Sequence, residues 1–244
     1  MIPAAAVALL VLAAAPAQGF REANEAARGG DYPKAIAGYA EVAASGTESA
    51  SLYWNWAQAA SARGAAGEAL FALLRARELD PGDRAVVREI ERARQAANLD
   101  PAELAPDPLA ALGRWCRRLH LSLLALVLAA ASLALHACAR LLPRGRRYAV
   151  AALWTMGGAI AVGALPLVAS LARPTAVVVR RGAPLLEAAS PTAAPVGALR
   201  EGEVVPVLDD GGPFLHVEDS SGARGWAHAS DVRRLDRAPA PSGS

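Results

Sequence analysis

The chain has 244 residues, 54% of them hydrophobic, a net charge of +2 and a mean hydropathy of +0.24. Much of that hydropathy is alanine, so it indicates a membrane only where the apolar segments run uninterrupted. Charge is segregated: Phe20 to Asp100 holds 10 basic and 12 acidic residues, Arg114 to Arg147 seven arginines and no acid, and Arg173 to Ser244 eight basic and nine acidic residues. A basic excess confined to the neighbourhood of apolar spans suits lipid headgroups and argues against a nucleic-acid-binding domain.

Met1 to Ala15 is an apolar run followed by Ala15-Pro16-Ala17, a small-x-small cleavage pattern, so residues 1–17 read as a signal peptide. No Lys or Arg precedes the run, and an uncleaved N-terminal anchor is the alternative.

From Phe20 to about Ala97 the pattern is helical and repeats. Gly29 to Val42 aligns with Arg63 to Ala76 at a spacing of 34: Ala35 falls on Ala69, Tyr39 on Leu73 and Val42 on Ala76. The second unit places Tyr53, Trp56, Ala57, Ala60, Ala69, Leu73, Ala76 and Pro81 in the order of large, small and proline positions that marks a tetratricopeptide repeat. Small residues allow close helix pairing, large ones fill the space left, and Pro81 ends the unit. A third helix is expected from Asp83, its N-cap, to Ala97. Its apolar face is Ala85, Val86, Ile90, Ala93 and Ala97, and its polar side closes the array. The repeat region is thus 20–98. Residues 99–113, rich in proline and acid, read as a linker.

Two apolar spans follow, Leu119 to Ala139 and Tyr148 to Ala172, neither containing Asp, Glu, Lys or Arg. Each has the ~20 residues a helix needs to cross a bilayer core. Between them lies the loop 140–147 with Arg140, Arg144, Arg146 and Arg147. A hairpin returns the chain to its starting side. With an export signal ahead, the arginine loop is expected in the cytoplasm and both flanking regions outside it. Arg114, Arg117 and Arg118, at the outer end of the first span, run against that rule. Gly157, Gly158 and Gly163, with Ala161 and Ala164, give the second span a small-residue surface for the first span or for a partner's helix, and Pro166 is expected to kink it.

After Ala172 short β-type runs alternate with Gly, Asp and Ser, and about five strands over 176–236 suggest a small barrel. Residues 237–244 read as a disordered tail. On a hairpin about Ser220-Ser221, alternation puts Phe214, His216, Trp226 and His228 on one face, opposite Leu215, Val217 and Ala227. That face suits stacking on a peptide or glycan, or Trp226 is a half-buried structural residue, and the paired histidines would make it sensitive to pH. Gly202, Val205, Phe214, Val217, Gly225, Trp226 and Ala227 resemble the bacterial SH3-like pattern, with Leu215 and His216 displacing the usual aromatic before Val217. The fold expected is multidomain α plus β: tetratricopeptide α-hairpin repeats, two transmembrane helices and a C-terminal small SH3-like β-barrel.

The order of these parts, and the opening of the first repeat from Ala23-Asn24 to Tyr39, resemble the BatE-type proteins of bacterial Bat gene clusters. Trp54-Asn55-Trp56 departs from the Leu-Gly pair common there. The resemblance implies a role in aerotolerance beside von Willebrand factor A-type membrane proteins and an associated ATPase.

Catalytic motifs are missing from the sequence: no Gly-x-Ser-x-Gly, phosphate-binding loop or HExxH is present. His120 and His136 lie ~24 Å apart along one helix, and Cys116 and Cys138 ~33 Å, so neither pair meets within one chain. No cofactor or metal is expected. The concave face of the repeats offers Asn24, Arg28, Asn55 and Gln58 for an extended peptide, or these side chains serve solvation and packing. The expectation is a non-enzymatic adaptor of the bacterial inner membrane with both soluble regions facing the periplasm, gathering Bat-type or other membrane and periplasmic proteins. The alternative is a cell-wall sensor whose SH3-like barrel holds peptidoglycan.

Overall fold

The structure, a computed structural model, describes residues 4–99, 109, 112, 113, 115, 116, 119–141 and 145–239, with side chains from residue 16 onward. The chain divides into two compact units, one made of residues 1–105 together with 174–244 and the other of residues 106–173.

The first unit begins with five helices: α1 (Ala4–Arg28), α2 (Tyr32–Ala44), α3 (Ala50–Arg63), α4 (Ala66–Leu79) and α5 (Arg84–Ala96). Polar side chains start three of them. Asp31 accepts from the Lys34 amide at 3.2 Å, Ser49 from that of Leu52 at 3.1 Å, and Asp83 from that of Ala85 at 2.7 Å. Gly64, at φ +80°, ends α3 in the left-handed conformation that glycine adopts without strain. Each helix packs on the next, with α1 also reaching α3. The starts of α2 and α4 are 34 residues apart, as the sequence period requires. Ala35, Ala43, Ala57, Ala60, Ala69 and Ala76 bring the helices close, while Tyr39, Tyr53, Trp56, Phe71 and Leu73 fill the core. Tyr53, Trp56 and Phe71 form a ring cluster with centroids 5.7–6.2 Å apart.

Seven antiparallel strands complete this unit: β1 (Thr175–Val178), β2 (Ala183–Leu186), β3 (Pro195–Leu199), β4 (Val204–Asp210), β5 (Phe214–Glu218), β6 (Arg224–His228) and β7 (Val232–Arg234). Their order is β3-β2-β6-β5-β4-β1-β7. A closed barrel of about five strands was the sequence expectation, and the sheet instead stays open, with β3 and β7 at its two edges. At the β7 edge, Arg233 and the following Leu235 are engaged by the helices. One face of the sheet buries Ala176, Val178, Leu185, Leu199, Val205, Leu215, Val217 and Ala227. Val177, on the other face of β1, and Leu235 join the helical core.

The second unit contains α6 (Leu121–Leu141) and α7 (Gly145–Ala169), packed on each other. Both are long and apolar enough to cross a membrane. Leu133, Leu153 and Trp154 are 71–80% exposed. Buried Ser132 donates to the Ala152 carbonyl at 2.8 Å, a cross-helix bond that satisfies the buried hydroxyl. Gly158 and Gly163 face α6, where a Cβ would lie 3.9 Å from Leu128 and 3.6 Å from Ala125. Gly157, Ala161 and Ala164 face outward, and Pro166 lies within α7.

Arg140 sits in the last turn of α6, and Arg146 and Arg147 in the first turn of α7, so these three are helical where the sequence suggested a loop. Arginine is a good helix former, which carries the helices into the basic segment. Arg144 falls outside the described residues, as do most of the linker and residues 240–244 of the tail. Helix α1 runs unbroken through Pro16 and the small-x-small site.

Candidate functional site

Asn24, Ala27 and Arg28 lie one turn apart on α1, and Asn55, Gln58, Ala59 and Ala62 form an i, i+3, i+4, i+7 stripe on α3. With Tyr32 and Tyr39 of α2 they line a hollow of about 530 Å³. All four residues assigned to the repeat surface from the sequence therefore meet in one place. Three alanines keep the hollow open. Tyr39 and Ala59 are buried, while Arg28, Gln58 and Ala62 stand exposed on its rim.

Its polar groups are ordered by one carbonyl. Asn24 Oδ1 accepts the Tyr39 hydroxyl at 2.7 Å and Asn55 Nδ2 at 2.9 Å. Two donors on one oxygen fix the amide plane and leave the Asn24 NH2 group available. Burial pushes the Tyr39 phenol above its ordinary value, and the positive charge of Arg28 partly opposes this. At neutral pH Tyr39 is therefore a committed donor. Among the described residues Arg28 makes no ion pair, so the rim carries an uncompensated cation. Asn24 NH2 and the Arg28 guanidinium are both donors, and their natural complement is a carboxylate. Tyr32 and Tyr39 are the polar residues of this site that the sequence did not single out: the Tyr39 contact with Asn24 spans 15 residues that only the folded α1–α2 pair brings together.

On the sheet, the β5–β6 register pairs Phe214 with His228 and His216 with Trp226, on the face opposite Leu215, Val217 and Ala227. The alternation read from the sequence thus brings these four together. The His216 ring stacks on Trp226, centroids 4.9 Å apart and planes 19° apart. His228 meets Phe214 edge-on at 5.1 Å, and its Nδ1 bonds the Ser230 hydroxyl at 2.7 Å. Phe214 is itself buried, 5% exposed, so Phe214 and Trp226 are not an exposed aromatic pair. Trp226 is half-buried along the Gly211 backbone, where a Cβ would come within 2.7 Å of its ring. What solvent meets is His216, one part of the Trp226 ring, and His228.

Among the described residues, no three His, Cys, Asp or Glu side chains are placed to share a metal ion. Both cysteines are free thiols, Cys116 buried and Cys138 partly so. The hollow presents hydrogen-bond donors and one positive charge. The chain matches no protein-family model, no curated protein and no solved structure.

Proposed function

We propose that the protein is a non-enzymatic, membrane-anchored adaptor. Its tetratricopeptide-like α1–α3 hollow holds an extended peptide segment bearing a carboxylate, supplied by another membrane or periplasmic protein. The observation that carries this reading is the Asn24 amide, pinned by Tyr39 and Asn55 with its donors free beside the unpaired Arg28. Preorganised donors lower the ordering cost of a bound segment. The anchor is the α6–α7 hairpin, placed in the bacterial inner membrane with its arginine turn in the cytoplasm. The order of parts supports a place within a Bat-type stress complex like that of the BatE-type proteins it resembles.

Fluorescence anisotropy with octapeptides tests this, using acidic peptides with free C-termini and their amidated, Gln/Asn-substituted twins. Full-length protein in nanodiscs should bind the acidic set, and Arg28→Glu should weaken binding by ~10- to 100-fold, the range for losing a hydrogen bond to a charged group. Equal binding of the neutral twins removes the carboxylate from the account, and binding of neither set removes the hollow as a peptide site.

A second reading rests on the His216–Trp226 stack. A half-exposed indole beside an imidazole suits a sugar ring, and the SH3-like sheet would then hold peptidoglycan. Retention on purified peptidoglycan that is lost in a folded Trp226→Ala variant would favour it.

A further inference from the structure

Helix α4 is buried on every side from Ala69 to Ala76, yet its N-cap residue, Ala65, has no side chain to offer the first turn. The missing acceptor comes from across the chain: the Glu201 carboxylate accepts the Gly67 amide at 3.0 Å. The backbone of β1 lies so close that a Cβ on Gly67 would sit 2.4 Å from the Val178 carbonyl oxygen and 2.9 Å from the Val179 Cα. Arg233 of β7 pairs with Glu68 at 3.0 Å and lies over the Trp56 and Phe71 rings at 5.6 and 5.8 Å. Buried Arg75 is held between Glu48 and Glu78 and donates to the Leu235 carbonyl. Val177 and Leu235 are members of the helical core itself.

We propose that residues 1–105 and 174–244 are not two tethered modules but one discontinuous domain, with the membrane hairpin inserted within it. The surface of α4 is an intramolecular docking face whose partner is the chain's own returning segment. Two helical repeats are short of the roughly three such arrays need, and the sheet supplies what a third would bury. Two consequences follow. Segments that share a core lie in one compartment, so the chain crosses the bilayer an even number of times between Ala105 and Pro174. The α3 that walls the peptide hollow carries Trp56 against Arg233 on its other side, so the docked sheet braces that wall.

The test cuts the full-length protein in detergent at a protease site placed between Arg173 and Pro174, with an affinity tag at the C-terminus. The N-terminal fragment should stay bound through the tag column, and its release from the wild-type protein would overturn the proposal. Gly67→Ala sharpens the result because its sign depends on docking. In an undocked helix alanine is the better residue than glycine, so thermal stability would rise. Against a docked β1 it collides with backbone, so the fragment should be released and the melting temperature of the uncut protein should fall by roughly 2–4 °C or more. A Gly67→Ala protein at least as stable as wild type that keeps its fragment also overturns the proposal. Arg233→Ala, which introduces no clash, keeps the test decisive if Gly67→Ala does not fold: it should increase fragment release, and unchanged retention counts against the interface.

Discussion

Asn24 joins fold and function, and a double-mutant cycle with Tyr39 separates the two. Tyr39 is 1% exposed and its hydroxyl donates to Asn24 at 2.7 Å. Asn24→Ala removes that acceptor, and an unpartnered buried donor costs about 1–3 kcal/mol. Tyr39 borders the hollow, where a water can take over the bond, so the cost should sit near the lower end, about 1–1.5 kcal/mol. Tyr39→Phe alone removes one bond but leaves Asn24 still accepting from Asn55, which predicts about 0.5–1 kcal/mol. In the Asn24→Ala background the hydroxyl has become a burden, so Tyr39→Phe there should be neutral or stabilising. Urea unfolding of the full-length protein in detergent, followed by circular dichroism, gives the four free energies. Equal effects of Tyr39→Phe in both backgrounds would show that the two side chains are uncoupled, and the claim of a pinned amide would fall with that result.

Three further outcomes follow from the same contacts. Leu73→Ala, at a fully buried position of α4, should cost about 2–5 kcal/mol in the same unfolding assay, and a loss below 1 kcal/mol would contradict the core described. The Gly212 amide, with Arg237 and Arg234 alongside, holds the Asp210 carboxyl below its ordinary value; Asp236, despite the opposing effect of burial, is also lowered, by Arg234. A lowered carboxyl stabilises the fold above its unfolded pKa and loses that contribution as pH falls through the folded value, so the hydrogen-exchange protection factors of β7, with the intrinsic pH dependence of amide exchange divided out, should stay constant from pH 7 to 5 and fall only below about pH 4, whereas a fall that begins near pH 6 would contradict control by these carboxyls. Binding of acidic peptides should weaken as salt rises from 50 to 500 mM, because Arg28 is exposed to screening, and a salt-independent affinity would remove its charge from the recognition.

Periodic features of this protein were readable without a structure. The 34-residue spacing located α2 and α4, and Asn24, Arg28, Asn55 and Gln58 could be named because helical geometry puts them on one side of their helices. Strand alternation likewise placed His216 and Trp226 together. The acid-free spans gave α6 and α7 to within a few residues, although the arginines at their ends extended the helices at the cost of the loop. Contacts with no period were invisible. Nothing near Gly67 signals that Val178, more than a hundred residues onward, lies against it, and Arg233 looks like any surface arginine until Trp56 and Phe71 are found beneath it. For the same reason the sequence suggested a separate small barrel: the contacts that tie β7 to Glu68, Trp56 and Phe71 come from helices that precede the apolar hairpin in the chain. Phe214 illustrates a smaller gap, since alternation assigns it a face and only packing shows that face to be covered there.

The most direct test of the account is binding of acidic, free-carboxylate octapeptides to full-length protein in nanodiscs, measured for wild type, Asn24→Ala and Arg28→Glu. Saturable binding to wild type, lost in Asn24→Ala and weakened ~10- to 100-fold in Arg28→Glu, is the predicted result. Affinity unchanged in both variants, or the absence of binding to the intact protein, would contradict an adaptor that works through this hollow.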